Sequence, residues 1–172
     1  LTKLIGYYRN SWHKMSEGNV AKDFPFQFTQ LPSWNPPQTK PVEGLEASWA
    51  SNRESMRLAD QKVPNTAMAV TIDTGDAIAL HPKNKKPIGL RHAYLALQKT
   101  YGKKIPADGP RLKRQEIRGS RIILEFGSIG SGLMMGRSGE LNAFAIAGKD
   151  RNWHWAQAKI KGTTVIVSSA KV

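Results

Sequence analysis

The sequence predicts an α/β part followed by a small antiparallel, sandwich-like β domain, and three observations support this prediction. Helix-like and strand-like stretches alternate over residues 1–105. This alternation stops at residues 105–110, a linker rich in proline and glycine. Beyond the linker, only short β-prone runs follow, separated by turns. The chain of 172 residues therefore divides into an α/β part, 1–105, and a β domain, 110–172.

The α/β part begins with a predicted amphipathic helix over residues 1–14. Its apolar residues recur at helical spacing: Leu1, Leu4, Ile5, Tyr8 and Trp12. Phe24, Phe26 and Phe28 then alternate with other residues, which is the period of a strand. The strand leads into residues 31–37, a proline-rich loop. Loops at strand ends are where binding sites are built, so this loop is a candidate site segment.

A second helix, a buried strand and a third helix complete the α/β part. Leu45, Trp49, Met56 and Ala59 predict a helix over residues 44–61. Residues 66–72 show no polar alternation, as expected of a strand covered on both faces in a parallel sheet. The third helix should run from Pro87 to a stop at Gly102. In the β domain, strands are predicted at residues 121–126, 143–146, 153–160 and 163–167.

Composition excludes several classes of protein. The chain has no cysteine, which rules out disulfides and thiolate metal sites. No apolar stretch reaches the ~18 residues that a membrane span needs, so we expect no membrane partner. The sequence opens without an initiator Met or a signal-peptide pattern, and we expect it to be a fragment.

Positive charge is concentrated in one stretch of the chain. The net charge is +13, and residues 83–121 hold 12 of the 26 Lys and Arg residues beside only Asp108 and Glu116. Three interpretations stay open: a solvated surface, a site for an anionic small substrate, and a nucleic-acid surface. Few aromatic residues are interleaved with the charges, and no known nucleic-acid-binding motif is present. A nucleic-acid partner is therefore the least favoured of the three interpretations.

The stretch "TIDTGDAIALHP", residues 71–82, follows the most strongly predicted strand. Ligands in open α/β sheets bind beyond the carboxyl ends of the strands. His81 could serve there as a general base, with Asp73 or Asp76 fixing its tautomer and stabilising the imidazolium. In the alternative interpretation, Asp73 makes a local turn bond and His81 caps the following helix. Spacing alone leaves both interpretations open.

The other histidines and the serine-glycine segment have structural interpretations. His13, His92 and His154 are predicted to pack structurally. No second histidine stands at a ligand spacing from the two aspartates, so we expect neither a metal nor a cofactor. Ser128 and Ser131 in "GSIGSG" match neither the Gly-x-Ser-x-Gly nor the phosphate-loop pattern. We expect a glycine-rich β turn there.

Several segments together resemble a known family. "FPFQFTQL", "WASNRESM", "PNTAMAVTIDTGDAIALHPKNKKPIGLRHAYLAL", "YGKKIPADGP", "GSGL" and "FAIAGKDRNWHWAQAKIKGTTVIVSS" resemble the C-terminal part of bacterial sialate O-acetylesterases, a branch of the SGNH serine esterases. The resemblance covers the chain from about Asp23 onward. It implies the C-terminal portion of an SGNH-type three-layer α/β/α domain, followed by the small β domain.

The resemblance also implies an activity and a role for His81. Members remove acetyl groups from sugar hydroxyls with a serine nucleophile and a histidine base, and His81 in "HPKNK" falls at the position of that histidine. SGNH enzymes place an Asp three residues before it, whereas this chain has Ile78. Asp76 or Asp73 would then orient His81, or the enzyme would work as a Ser-His pair.

The family's nucleophile and oxyanion blocks precede the region that this sequence resembles. We therefore expect two partners, the N-terminal half of the same enzyme and an O-acetylated sialic acid or another acetylated sugar. We also expect residues 1–172 alone to be inactive and the enzyme to be secreted or periplasmic. The rival interpretation is a noncatalytic basic module that binds an acidic glycan or nucleic acid.

Overall fold

The computed structural model describes residues 1–44, 48–136, 139, 141–142 and 144–172. They form two compact units. The first contains Leu1–Pro37 and Leu45–Ala107, and the second contains Gln38–Gly44 and Asp108–Val172. The first unit mixes helices with parallel strands and the second is an antiparallel sheet, which confirms the predicted fold class. Among the helices of the described residues, none has the length and apolar character needed to cross a membrane.

The first unit is built around a parallel strand pair. Its elements are α1 (Thr2–Met15), β1 (Phe26–Thr29), α2 (Ser48–Lys62), β2 (Thr66–Ala69) and α3 (Lys86–Leu95), which continues as a π-helical stretch, Ala96–Thr100. Phe26 lies opposite Thr66 and Thr29 opposite Ala69, so α2 is the crossover between two parallel strands. Residues 67–69 are all buried, as predicted for a strand covered on both faces. Leu45, at the predicted start of α2, lies outside the described residues.

The predicted strand over residues 66–72 is shorter in the structure. It ends at Ala69, and a 3-10 turn follows at Ile72–Thr74. Thr71 is fully buried, and its hydroxyl donates to the carbonyl of Gln30 at 2.5 Å. This bond holds the chain after β2 against the chain after β1. The apolar side chains of Val70 and Ile72 are exposed, so they are not part of the buried strand.

A buried arginine fastens α1 to the rest of the first unit. Arg9 is only 6% exposed. Its guanidinium donates four hydrogen bonds of 2.8 to 3.1 Å, to the carbonyls of Phe24, Pro64 and Asn65. These carbonyls lie just before β1 and β2, so one side chain satisfies three backbone acceptors at the amino ends of both strands. Sequence periodicity did not identify this role.

The second unit is an antiparallel sheet with one apolar face. Its strands are β3 (Arg111–Arg118), β4 (Arg121–Gly127), β5 (Phe144–Ala147), β6 (Trp153–Lys161) and β7 (Thr164–Ser168), in the spatial order β3-β4-β7-β6-β5. Ile146, Val165 and Val167 form the buried core on this apolar face, which is called the inner face below. β3 is a charged edge strand that was not predicted. Ala143, at the predicted start of β5, lies outside the described residues.

The "GSIGSG" segment forms a turn after β4, as predicted. The amide of Gly132 donates to the carbonyl of Ile129 at 2.8 Å, which closes a four-residue turn. Ser128 adopts a positive φ of 54°, and Gly130 one of 53°. The chain reverses here through backbone conformations with positive φ, which glycine adopts more readily than other residues.

Candidate active site at the carboxyl edge of the parallel strands

The carboxyl ends of β1 and β2 lie at the same edge, because the two strands are parallel. β1 continues into residues 30–34 and β2 into residues 70–76. The carbonyl of Thr71 accepts the amide of Thr74 at 3.0 Å and its hydroxyl at 2.8 Å, which closes the 3-10 turn. At Gly75, any Cβ would collide with the backbone oxygen of Ser33. Glycine is therefore required where the two loops run side by side.

Two tryptophans lie beside this edge. Trp34 forms an isolated parallel bridge with Asp76, so the two loops stay in register beyond the strands. Its ring lies 5.4 Å from that of Trp49, at 54° between planes. The indole N–H of Trp49 donates to the carbonyl of Pro32 at 2.6 Å. Trp34 is 40% exposed and thus offers an apolar ring to solvent at the site. The sequence analysis selected loop 31–37 but not this ring pair, whose proximity depends on the fold.

His81 lies on the segment between the 3-10 turn and α3. Its side chain is exposed, whereas Pro82 is buried and accepts a hydrogen bond at its carbonyl from the ammonium of Lys85. Within the described residues, no hydrogen bond or ion pair engages the imidazole. The backbone is therefore anchored one residue later while both ring nitrogens are open to a substrate or to another part of the protein.

Asp73 is committed to an ion pair with α3. Both of its carboxylate oxygens accept hydrogen bonds of 2.6 Å from the guanidinium of Arg91. Arg91 also donates to the carbonyl of Val70 at 2.7 Å. The hydrogen bonds from Arg91 lower the pKa of Asp73 and, reciprocally, raise that of Arg91. The pair holds the turn after β2 against α3.

Asp76 has a different environment. Its Oδ1 accepts the amide of Ile78 at 2.9 Å, which is a local turn bond. Ile78 itself is 91% exposed. No hydrogen bond among the described residues joins either aspartate to His81. The structure thus places the three selected residues on one continuous segment, and the carboxylate partner of His81 stays a prediction.

His92 connects β1 to α3. Its Nε2 forms a hydrogen bond of 2.8 Å with the hydroxyl of Thr29. Its Nδ1 lies 3.0 Å from the side-chain amide of Gln27. In the amide orientation that satisfies both amide groups, the nitrogen donates to Nδ1 and the oxygen accepts the N–H of Ala96 at 3.2 Å. Burial lowers the pKa of His92, so the neutral ring is favoured. Both ring nitrogens have partners, in contrast to those of His81.

Among the described residues, no group of three His, Asp or Glu side chains is arranged to hold a metal ion.

Curated relatives carry a common name. The chain is 31% identical to a sialate O-acetylesterase from Mus musculus over 127 residues, 71% of this chain and 24% of the relative. It is 27% identical to the sialate O-acetylesterase of Homo sapiens over 126 residues, 70% of this chain and 24% of that protein. The chain therefore spans about a quarter of the length of these relatives. No family model matches the sequence.

A solved structure matches the fold closely. A carbohydrate acetylesterase from Xanthomonas citri aligns with 98% of this chain, at a TM-score of 0.80 and 32% identity, and the alignment covers 39% of that protein. Similar sequence and similar fold thus point to the same group of proteins as the motifs around His81. The resemblance is confirmed: the chain is a relative of the sialate O-acetylesterases and carbohydrate acetylesterases, matched over part of their length.

Proposed function

We propose that residues 1–172 belong to an ester hydrolase that removes acetyl groups from sugar hydroxyls, with acetylated sialic acid as a substrate and His81 as general base. The imidazole of His81, which is exposed and has no hydrogen-bond partner in the part of the chain that the structure describes, is the observation that carries the proposal. The ring lies on the segment that leaves the carboxyl edge of a parallel strand pair, where ligands of α/β proteins bind. The names of the relatives, sialate O-acetylesterase and carbohydrate acetylesterase, are the basis for proposing an acetyl ester of a sugar as the substrate.

The proposed chemistry uses two half-reactions. His81 removes the proton of a serine hydroxyl as the serine oxygen attacks the acetyl carbonyl carbon. The tetrahedral intermediate collapses, the bond to the sugar oxygen breaks, and His81 returns the proton to that oxygen. Water, activated by the same ring, then releases acetate from the serine. We assign the serine and the oxyanion donors to a part of the protein outside residues 1–172.

Asp76 is the better candidate to orient His81. Both oxygens of Asp73 are bonded to Arg91, and an aspartate that left this pair would leave a guanidinium without its carboxylate. Among the described residues, only Oδ1 of Asp76 is bonded, to a backbone amide, which leaves its second oxygen for an imidazole N–H. A carboxylate in that role would stabilise the imidazolium that forms during attack. A Ser-His pair without an aspartate is the alternative arrangement.

In this proposal, the ring of Trp34 is the surface on which the sugar ring packs. Its indole is 40% exposed and packs against the ring of Trp49, with 5.4 Å between the ring centroids. The C–H face of a pyranose packs well on an aromatic ring, and the bridge to Asp76 keeps Trp34 on the same edge as the proposed catalytic segment. We also propose a secreted or periplasmic setting, as the resemblance implies.

A chimera tests the proposal. Residues 1–172 would replace the matched segment of the Xanthomonas citri enzyme, because the two folds agree closely. We expect the chimera to release acetate from O-acetylated sugars, including 9-O-acetyl-N-acetylneuraminic acid. Purified 1–172 should show only background turnover of p-nitrophenyl acetate, because a base without nucleophile and oxyanion donors loses most of its effect. Turnover by 1–172 that disappears on mutation of one of its own serines would contradict the proposal.

A further inference from the structure

The second unit contains a cleft of about 540 Å³ at one end of its sheet. Its walls include residues of β4, β6 and β7 and the residues after β7. The lining residues used below are Arg121, Trp155, Gln157, Ser168, Ser169 and Lys171. The lining residues that the structure describes all belong to Gln38–Gly44 or Asp108–Val172, so the cleft is assigned to one unit. Its volume is within the range of about 300–1,000 Å³ typical of small-ligand sites.

Strand register places the polar lining residues in one row. Arg121 of β4 pairs with Ser168 of β7, which in turn pairs with Gln157 of β6. Adjacent residues of a strand point to opposite faces, and Val167 is in the inner core. The row therefore lies on the outer face of the sheet. Trp155 is two residues from Gln157 on β6, so it shares this face, and it is 43% exposed.

The two cations of the cleft have no ion-pair partner among the described residues, unlike other arginines of the unit. Arg118 on the neighbouring strand bonds Glu116 at 2.7 Å, and Arg151 bonds Glu43 at 2.6 Å. Arg121 and Lys171 make no such pair in the described part of the chain. Among the described residues that line the cleft, none has a carboxylate side chain. The cleft is therefore positively charged and complementary to an anion.

The combination of these groups fits a carboxylated sugar. An exposed indole offers an apolar surface to the C–H face of a pyranose. The amide of Gln157 and the hydroxyls of Ser168 and Ser169 can donate to and accept from ring hydroxyls. The guanidinium of Arg121 can bind a carboxylate through two parallel hydrogen bonds. Single-stranded nucleic acid, by contrast, needs a succession of aromatic platforms, and the described residues of the cleft include one indole.

We propose that this cleft is a second, noncatalytic site that binds a carboxylate-bearing sugar of an acidic glycan. The proposal does not depend on the esterase assignment, because the cleft lies in a different unit from His81. Binding there would hold the protein on an acidic glycan whether or not an acetyl group is present. Trp155 supplies the stacking surface and Arg121 the charge that selects acidic over neutral sugars.

Calorimetric titration of residues 1–172 tests this site with two acidic probes, digalacturonate and sialyllactose, and two neutral ones, digalacturonate dimethyl ester and lactose. We expect at least one acidic probe to bind about tenfold or more tighter than its neutral counterpart, with affinity falling as salt rises. In amide spectra, the indole N–H of Trp155 should shift on binding and those of Trp34 and Trp49 should not. Shifts confined to Trp34 and Trp49 would assign binding to the proposed esterase site and overturn this proposal.

Matched variants separate this site from general charge attraction. Arg121→Gln should weaken acidic-sugar binding about tenfold and abolish the preference over the neutral probe. The control variant is Arg118→Gln. Arg118 lies opposite Arg121 and has the same charge, but it is already in an ion pair with Glu116. Its replacement should change the affinity for the acidic probe less than about twofold. Trp155→Ala should weaken both classes of probe, with an unchanged melting temperature as the fold control. Three results would overturn the proposal. They are an equal loss of affinity in the two arginine variants, no binding of either acidic probe, and tighter binding of oligothymidine than of either acidic probe.

Discussion

The carboxylate of Asp73 receives two hydrogen bonds of 2.6 Å from the guanidinium of Arg91, 18 residues further along the chain. This pair lies at the end of β2, where the sequence predicts a catalytic histidine and its carboxylate partner. Because both of its oxygens accept hydrogen bonds from Arg91, Asp73 holds the turn after β2 against α3. Asp76 is therefore the candidate to orient the imidazole of His81. The two aspartates, three residues apart, can therefore be distinguished by experiment.

Asparagine substitutions distinguish the two aspartates in the active chimera. Asp76→Asn keeps an oxygen for the amide of Ile78 but removes the charge, so kcat/KM should fall about tenfold or more. Asp73→Asn weakens an exposed ion pair and should change kcat/KM less than about threefold, with a stability loss below about 1 kcal/mol. Steady-state kinetics and urea unfolding measure both effects. A larger kinetic loss in the Asp73 variant would reverse the assignment.

Arg9 should contribute more to stability than any surface arginine of the first unit. Arg9→Met removes four hydrogen bonds and leaves three carbonyls without their charged donor, so the free energy of unfolding should fall by about 2–4 kcal/mol. Lys14→Met, an exposed position on the same helix, should change it by less than about 0.5 kcal/mol. Urea denaturation of both variants measures the difference. A similar loss of unfolding free energy in the two variants would show that the buried guanidinium contributes no more to stability than an exposed side chain.

His92 should make the first unit less stable in acid. Burial lowers its folded pKa below the ordinary value of 6.5, so the unfolded chain binds the proton more readily. The stability contributed by the neutral ring is thus fully present above pH 6.5 and is lost as pH falls toward the folded pKa. His92→Gln cannot titrate, and its free energy of unfolding should fall less than that of the parent between pH 7 and about pH 5. Parallel pH profiles for the two proteins would contradict this.

Periodicity predicted the elements whose faces are plainly apolar or plainly alternating. The helical spacing of α1 and the uninterrupted apolar run of β2 are visible in the sequence. β3 was missed because it is an edge strand with mostly exposed residues, and its charged composition is typical of solvated loops. The early end of β2 depends on a hydrogen bond from Thr71 to Gln30, 41 residues away. Local pattern contains no information about such a partner.

The candidate site was predictable in position but not in its contacts. The rule that ligands bind at the carboxyl ends of parallel strands selected the segment that carries His81. It did not select Arg91 as the partner of Asp73, because arginine on a helix is ordinarily solvated. Nor did it pair Trp34 with Trp49, since loop 31–37 and α2 approach each other only in the fold. Burial of Arg9 was missed for the same reason.

Substitution of His81 in the active chimera tests the central claim most directly. His81→Ala should lower kcat/KM for an O-acetylated sialic acid by about 10² or more, the usual effect of losing a general base, without changing the melting temperature. Added imidazole should restore part of the rate, which a merely structural histidine would not allow. His92→Gln, measured at pH 8, should stay within about threefold of the parent. Near-native turnover by His81→Ala would contradict the account and leave His81 as a surface residue ahead of α3.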